Sequence, residues 1–216
     1  MDNKEKNMKK IFLTTGLLSI LSAPAMAEVK WFVGGALGYA LPVYSDDVYD
    51  LIDDHYFEDN SGTISFNLMG GMRFGEYEKI YNGGVSATYS YMPDLGMLKE
   101  DYNNPYYMDA TLDFSTLYIT YDNYIRVSGN SQYRTDFVAS LGLGMGWVSE
   151  DLKSGSYYEK YEDDGLLLVM KFGFTGETIV EGLGWNAGLS IIALNAEDDA
   201  DLQGSVSFDI GVKYTF

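Results

Sequence analysis

Ser205-Val-Ser-Phe-Asp-Ile-Gly-Val-Lys-Tyr-Thr-Phe216 alternates without a break. Val206, Phe208, Ile210, Val212, Tyr214 and Phe216 form one apolar set, and Ser205, Ser207, Asp209, Gly211, Lys213 and Thr215 fall between them. Successive side chains of a β-strand point to opposite faces, so this period of two predicts a strand with one greasy and one polar face. Working back toward the N-terminus, the same period, with β-branched, aromatic and Gly residues dominating, predicts seven more strands near 29–40, 63–74, 80–91, 112–124, 135–148, 166–175 and 183–194.

The links between these segments alternate in length. Short ones fall at 75–79, 126–134 and 176–182, and longer ones at 41–62, 92–111 and 149–165, with a shorter acidic one at 195–203. Turns at one end and loops at the other is the arrangement of an up-and-down transmembrane barrel, with turns periplasmic and loops outside. An even strand number leaves both ends of the barrel on the turn side. The expected fold is therefore all-β, an eight-stranded antiparallel up-and-down transmembrane β-barrel over 28–216.

A soluble eight-stranded barrel shares the period of two, and size decides against it. Such a barrel holds little more than ordinary side chains, and it would have to enclose Phe66, Leu68, Met72, Phe74, Tyr81, Tyr89, Phe208 and Tyr214. With the Gly, Ser, Thr and Asn faces inside, the apolar faces form an outer band suited to lipid. The aromatics then fall into two expected girdles, where an amphipathic ring sits at a headgroup layer. Trp31, Phe74, Tyr81, Trp185, Tyr214 and Phe216 lie at the turn end of their strands, and Tyr39, Tyr89, Tyr91 and Trp147 at the loop end.

The one sustained apolar block opens the chain. Lys4, Lys6, Lys9 and Lys10 precede an apolar run from Ile11 to Leu21, followed by Ala25-Met-Ala27. This predicts a cleavable export signal over residues 1–27, its core of about a dozen residues being too short for a membrane-spanning helix. Cleavage after Ala27 removes four Lys and two acids and leaves 10 basic against 30 acidic residues. A chain so acidic repels nucleic acid. With no cysteine among its 216 residues it has neither disulfides nor a thiolate site.

The residue pattern resembles the outer-membrane β-barrel domain family that includes the outer membrane protein A transmembrane domain and the opacity-type surface proteins. The likeness rests on the opening Trp31-Phe-Val-Gly-Gly-Ala-Leu-Gly-Tyr39, on Phe137-Val-Ala-Ser-Leu-Gly-Leu-Gly-Met-Gly-Trp147, and on the closing alternation that ends in Tyr214-Thr-Phe216. The resemblance implies that Phe208, Ile210, Val212, Tyr214 and Phe216 form the signal read by the barrel-assembly machinery. It also implies a bilayer containing lipopolysaccharide as the surrounding partner, a host or extracellular ligand at the loops, and a monomer.

Inward positions carry Lys30, Arg73, Lys171, Asp209 and Lys213. Charges facing one another across a narrow lumen are tolerable only when paired, which predicts an Arg73, Asp209 and Lys213 network plugging the barrel. The Gly-lined wall of the 135–148 strand is expected to leave room for water.

Three features invite chemistry and are read as bland. His55 beside Asp54, with Ser61 six residues on, lacks the spacing of the outer-membrane lipid acyltransferases and deacylases, and reads as a solvated loop histidine. The acids Asp46, Asp47, Asp50, Asp53, Asp54, Glu58 and Asp59, and a second group at Glu150, Asp151, Glu159, Glu162, Asp163 and Asp164, show no Ca²⁺-loop spacing and read as solvated loops. No enzyme, cofactor or dedicated metal site is expected. The remaining irregularity is the parity change between Leu112, Phe114 and Leu117, Ile119, Tyr121, which either a β-bulge or a later start of the strand would reconcile.

Overall fold

The computed structural model describes residues 28–44, 57–59, 62–76, 79–100, 109–129, 134–154, 157–195 and 202–216. Among the described residues nine strands form: β1 (Val29–Tyr44), β2 (Phe57–Asp59), β3 (Thr63–Phe74), β4 (Tyr81–Glu100), β5 (Asp109–Gly129), β6 (Arg134–Ser154), β7 (Tyr157–Glu177), β8 (Leu183–Asn195) and β9 (Leu202–Thr215). Every sequential neighbour among the eight long strands pairs antiparallel. The ring closes where β1 runs against β9, from Phe32 opposite Thr215 to Tyr44 opposite Leu202. A reciprocal pair of backbone hydrogen bonds between Trp31 and Phe216 (2.9 and 3.3 Å) extends that seam to the final residue. The three-residue β2 pairs with the far end of β4 and takes no part in the ring.

The period of two places the predicted faces as expected. On β9, Phe208, Ile210, Val212 and Tyr214 are exposed, as is Phe216 just beyond it, whereas Ser205, Ser207 and Asp209 are buried. Across the eight strands, outward positions between the levels of Trp185 and Trp147 carry no Asp, Glu, Lys or Arg. Leu68 (67% exposed), Ile119 (60%) and Ile210 (60%) stand in the middle of that belt. In water this belt would far exceed the few hundred Å² of contiguous apolar surface that soluble monomers expose, and hydrocarbon is the solvent it fits.

Two predicted loops are largely strand. β4 and β5 pair as far as Lys99 opposite Asp109, and β6 and β7 as far as Ser154 opposite Tyr157. The acidic segment 149–165 is therefore a hairpin. Acidic residues scattered between tyrosines hid its alternation. Strands of 20 and 21 residues are about twice what a tilted strand needs to cross hydrocarbon, so these two hairpins stand well clear of the apolar belt. The expected turn at 126–134 is also shorter, with Gly129 still paired to Arg134.

No bulge separates Leu112 from Leu117. β5 keeps one parity from Thr111 to Tyr124, and Leu112 and Phe114 point inward with Thr116 and Tyr118. The irregularity lies across the seam in β4, where pairing skips between Met92 and Gly96. Asp94 adopts a left-handed φ of 47° there, a conformation aspartate tolerates better than most residues. Its amide donates to the Asp113 carboxylate at 2.9 Å, and the bulge turns both Met92 and Leu95 into the barrel. A second irregularity, at Gly204 with φ 153°, turns Leu202 inward to lie opposite Tyr44.

The glycines of β6 do not make room for water. A Cβ on Gly142 or Gly144 would run into the backbone carbonyl oxygens of Ile119 or Leu117 on β5, and one on Gly146 would meet Phe114 and Leu167 at 2.9 Å. These positions are bare because neighbouring backbone and inward side chains already fill the space.

Candidate functional site

From one end to the other, the lumen has three layers. At the loop end it is apolar: Ala40, Tyr44, Met92, Leu95, Leu112, Phe114, Leu167, Val169, Ile192, Leu194 and Leu202 form one packed cluster inside the ring. Sequence reasoning missed this plug. Its signal was present in Leu166-Leu-Leu-Val169 and Ile191-Ile-Ala-Leu194, where apolar residues occupy both parities at the loop ends of β7 and β8.

The middle layer is polar and centres on Asp209. Oδ1 accepts from the Ser65 hydroxyl (3.0 Å) and the Asn67 amide (2.9 Å), and Oδ2 from the hydroxyls of Ser190 and Ser207 (both 3.0 Å). Four neutral donors thus satisfy a buried carboxylate. Nearby, Asp122 accepts from Thr120 (2.7 Å) and from the Tyr124 hydroxyl (3.4 Å), and Thr120 also shares a 2.8 Å hydrogen bond with Ser86.

At the turn end lies an ionic layer that the sequence reading did not anticipate. Asp136 binds two guanidinium groups, accepting from Arg73 Nη1 at 2.8 Å and from Arg134 Nε at 2.7 and 2.8 Å. Arg73 lies 4.5 Å over the Tyr124 ring, and Arg134 also donates to the Lys79 carbonyl at 3.3 Å. With the Asn82 amide turned so that its oxygen faces the guanidiniums, it accepts from Arg73 (3.1 Å) and Arg134 (2.7 Å). Arg134 and Asp136 are 1% and 2% exposed and the Arg73 side chain 16%, which makes this a largely buried ion-pair cluster.

The expected Arg73, Asp209 and Lys213 network is therefore corrected. All three face the lumen, but Arg73 pairs with Asp136, Asp209 with hydroxyls and an amide, and Lys213 lies 5.7 Å from the Phe32 ring. Phe32, an aromatic residue on the inward face of β1, forms one wall for that ammonium. Asp136 was overlooked because it sits beside a predicted turn, although its spacing of two from Arg134 puts both on one face.

Trp31, Tyr81, Trp147, Trp185 and Tyr214 are exposed on the outer wall, and Phe74 is partly covered there. Several rings lie over glycine backbone: a Cβ on Gly83 would meet Phe74, one on Gly176 would meet Trp185, and one on Gly182 would meet Tyr214. Rings that cover neighbouring glycines hold strand pairs together where no side chain can. The β6–β7 hairpin carries Tyr158, whose hydroxyl donates to Asp151 at 2.9 Å, and Lys160, which pairs with Glu162 at 2.7 Å. The acceptor carboxylate holds the Tyr158 phenol above its ordinary pKa.

Residues 1–27 lie outside the described residues, as do His55, Asp54, Ser61 and the acids Asp46, Asp47, Asp50 and Asp53. Among the described residues no group of three or more His, Cys, Asp or Glu is placed to hold a metal ion.

No protein-family model matches the chain, and no curated protein does. Among solved structures it is similar to the attachment invasion locus protein of Yersinia pestis, at 13% identity, a TM-score of 0.49, and coverage of 88% of this chain and 99% of that one. It is similar to Neisserial surface protein A at 13% identity and a TM-score of 0.46, covering 86% and 97% of the two chains. A major outer membrane protein of Thermus thermophilus gives 10% identity and a TM-score of 0.47, with 88% and 100% covered. The Yersinia pestis protein has also been solved in complex with the heparin analogue sucrose octasulfate, at 15% identity to this chain and a TM-score of 0.47. The likeness is one of overall shape, and the closed ring with its uncharged outer belt stands on this chain's own residues: it is an eight-stranded up-and-down barrel of the transmembrane type.

Proposed function

We propose that this protein is an integral outer-membrane barrel, exported with removal of residues 1–27, that presents its acidic, tyrosine-bearing hairpins outside the cell as an interaction surface. The observation that carries the reading is the contrast between a belt without charges and the β6–β7 hairpin that rises beyond it. Charge defines the partner's chemistry. Glu150, Asp151, Glu159, Glu162, Asp163 and Asp164 against Lys153 and Lys160 disfavour a polyanion such as sucrose octasulfate and favour a cationic or neutral surface. The test is adhesion of cells displaying the intact protein, compared with cells displaying a version whose 150–163 segment is replaced by a short turn. Loss of binding at equal surface display supports the reading. Undiminished binding overturns it.

The lumen bears on the alternative of a narrow pore. The apolar plug at the loop end leaves no wetted path through the described interior, which supports reading the barrel as a scaffold. In planar bilayers the purified protein is expected to give at most small, rare conductance steps. Steady large currents would favour the pore.

The outward Phe208, Ile210, Val212, Tyr214 and Phe216 of β9 are proposed as the signal recognised by the barrel-assembly machinery, and the barrel is proposed to act as a monomer in a lipopolysaccharide-containing leaflet. Removing Phe216 also removes the backbone pair with Trp31. The yield of heat-modifiable barrel in cells is expected to fall several-fold, whereas refolding of the same chain in detergent should suffer less.

A further inference from the structure

β7 outruns its neighbour on one side. Its pairing with β8 ends where Leu166 lies opposite Asn195, whereas its pairing with β6 continues until Tyr157 lies opposite Ser154. Among the described residues, 157–165 is therefore the outermost strand of the sheet that rises beyond the apolar belt, with β6 on one flank and no strand on the other. The open flank starts at the level of Trp147, which lies opposite Asp164, and runs outward from there.

The phase of the backbone along that flank is set from the turn end. The Thr178 amide donates to the Leu183 carbonyl at 2.9 Å, and the register between β7 and β8 then runs without a shift from Glu177 to Leu166. In an antiparallel ladder every second residue turns both its N–H and its C=O to the same neighbour, so the even-numbered residues of β7 face the β8 side. Beyond Leu166 these include Asp164, Glu162 and Lys160. The Asp164 amide fits this phase: with no strand beside it, it donates to the Asp163 carboxylate at 2.8 Å. The N–H and C=O groups of Glu162 and Lys160 have no backbone partner among the described residues. A row of such groups is a template for one more strand.

We propose that this flank of β7 binds an extended Lys- or Arg-rich polypeptide by strand addition, the incoming backbone taking up the N–H and C=O groups of Lys160 and Glu162. This rests on the hairpin's being an interaction surface, as proposed above, and adds the partner's form. Charge selects the occupant. The strand carries Glu159, Glu162, Asp163 and Asp164 against Lys160, which is itself engaged by Glu162 at 2.7 Å. A second copy would set the same acids against one another, and like charges directly opposite destabilise a strand pair. Residues 196–201, which follow β8 in the chain, bring Glu197, Asp198, Asp199 and Asp201 and would meet the same repulsion. A cationic strand instead meets acids on both faces, since Glu162 and Asp164 alternate with Glu159 and Asp163. The exposed rings of Tyr158 and Tyr161 offer a cation–π contact on each face.

The test uses the whole barrel refolded in detergent and a short synthetic peptide that alternates Arg and Thr. Binding, read by fluorescence anisotropy of the labelled peptide, is expected to slow hydrogen exchange at the Lys160 and Glu162 amides. It is expected to weaken about tenfold or more when the peptide backbone is N-methylated throughout, a change that keeps every charge. Lys160→Pro removes an edge amide, takes no bond from β6 and leaves the surface more acidic, so strand addition predicts weaker binding where charge attraction alone predicts tighter. If that variant does not form the heat-modifiable barrel, the exchange data and the N-methylated peptide on the unaltered protein decide. No binding of the peptide, binding that leaves both amides unprotected, or equal binding of the N-methylated form overturns the proposal. Cell adhesion that is lost with the 150–163 segment but kept in Lys160→Pro also overturns strand addition, and leaves the hairpin standing as an interaction surface.

Discussion

Replacing Asp136 with Ala is expected to destabilise the barrel by about 3 kcal/mol, because the change leaves the buried Arg134 and the part-buried Arg73 guanidiniums facing each other without their shared acceptor. The size of the effect comes from the charge left behind more than from the bonds removed. Asp209→Asn is the natural comparison, since its four partners are neutral and hydroxyl groups can rotate to accept from an amide. Urea unfolding of the protein in lipid vesicles, followed by tryptophan fluorescence, measures both. If Asp136→Ala costs no more than Asp209→Asn, the ionic cluster is not what secures the turn end.

Leu141→Arg on the outer wall is expected to cost about 2–4 kcal/mol in the same assay. Leu141 is 58% exposed, pairs with Tyr121 and Met170, and lies midway along the belt on β6. A guanidinium there would sit near the bilayer midplane with no partner. On a soluble protein the same change at so exposed a position would fall within about 0.5 kcal/mol of zero, so the measurement separates the two solvents directly. An effect near zero would mean that water, and not lipid, wets this face.

The fold was legible because a barrel wall has two solvents, and each strand records both in alternate residues. Strand number, closure and the identity of the outward face all follow from that record at β3, β6 and β9. It fails where one solvent is replaced by packing. Leu112, Phe114, Leu167 and Ile192 are apolar yet inward, because at the loop end the lumen is filled by other side chains, and alternation reads such a place as an error of register. It fails again in the β6–β7 hairpin, where both faces meet water and no alternation is required. The interior network was half legible: parity placed Arg73, Asp209 and Lys213 in the lumen, but partners across a barrel depend on stagger between strands distant in sequence, as for Arg73 and Asp136, 63 residues apart.

The seam between β1 and β9 carries a consequence for timing. Because the strand that begins at Val29 finds its second partner only in the strand that ends at Thr215, no shorter stretch of the chain can close this ring. A barrel interrupted at β8 would have two open edges and an apolar wall with nothing to complete it. Closure is therefore the last event of folding, and the whole set of strands must be made before the first can pair with the last.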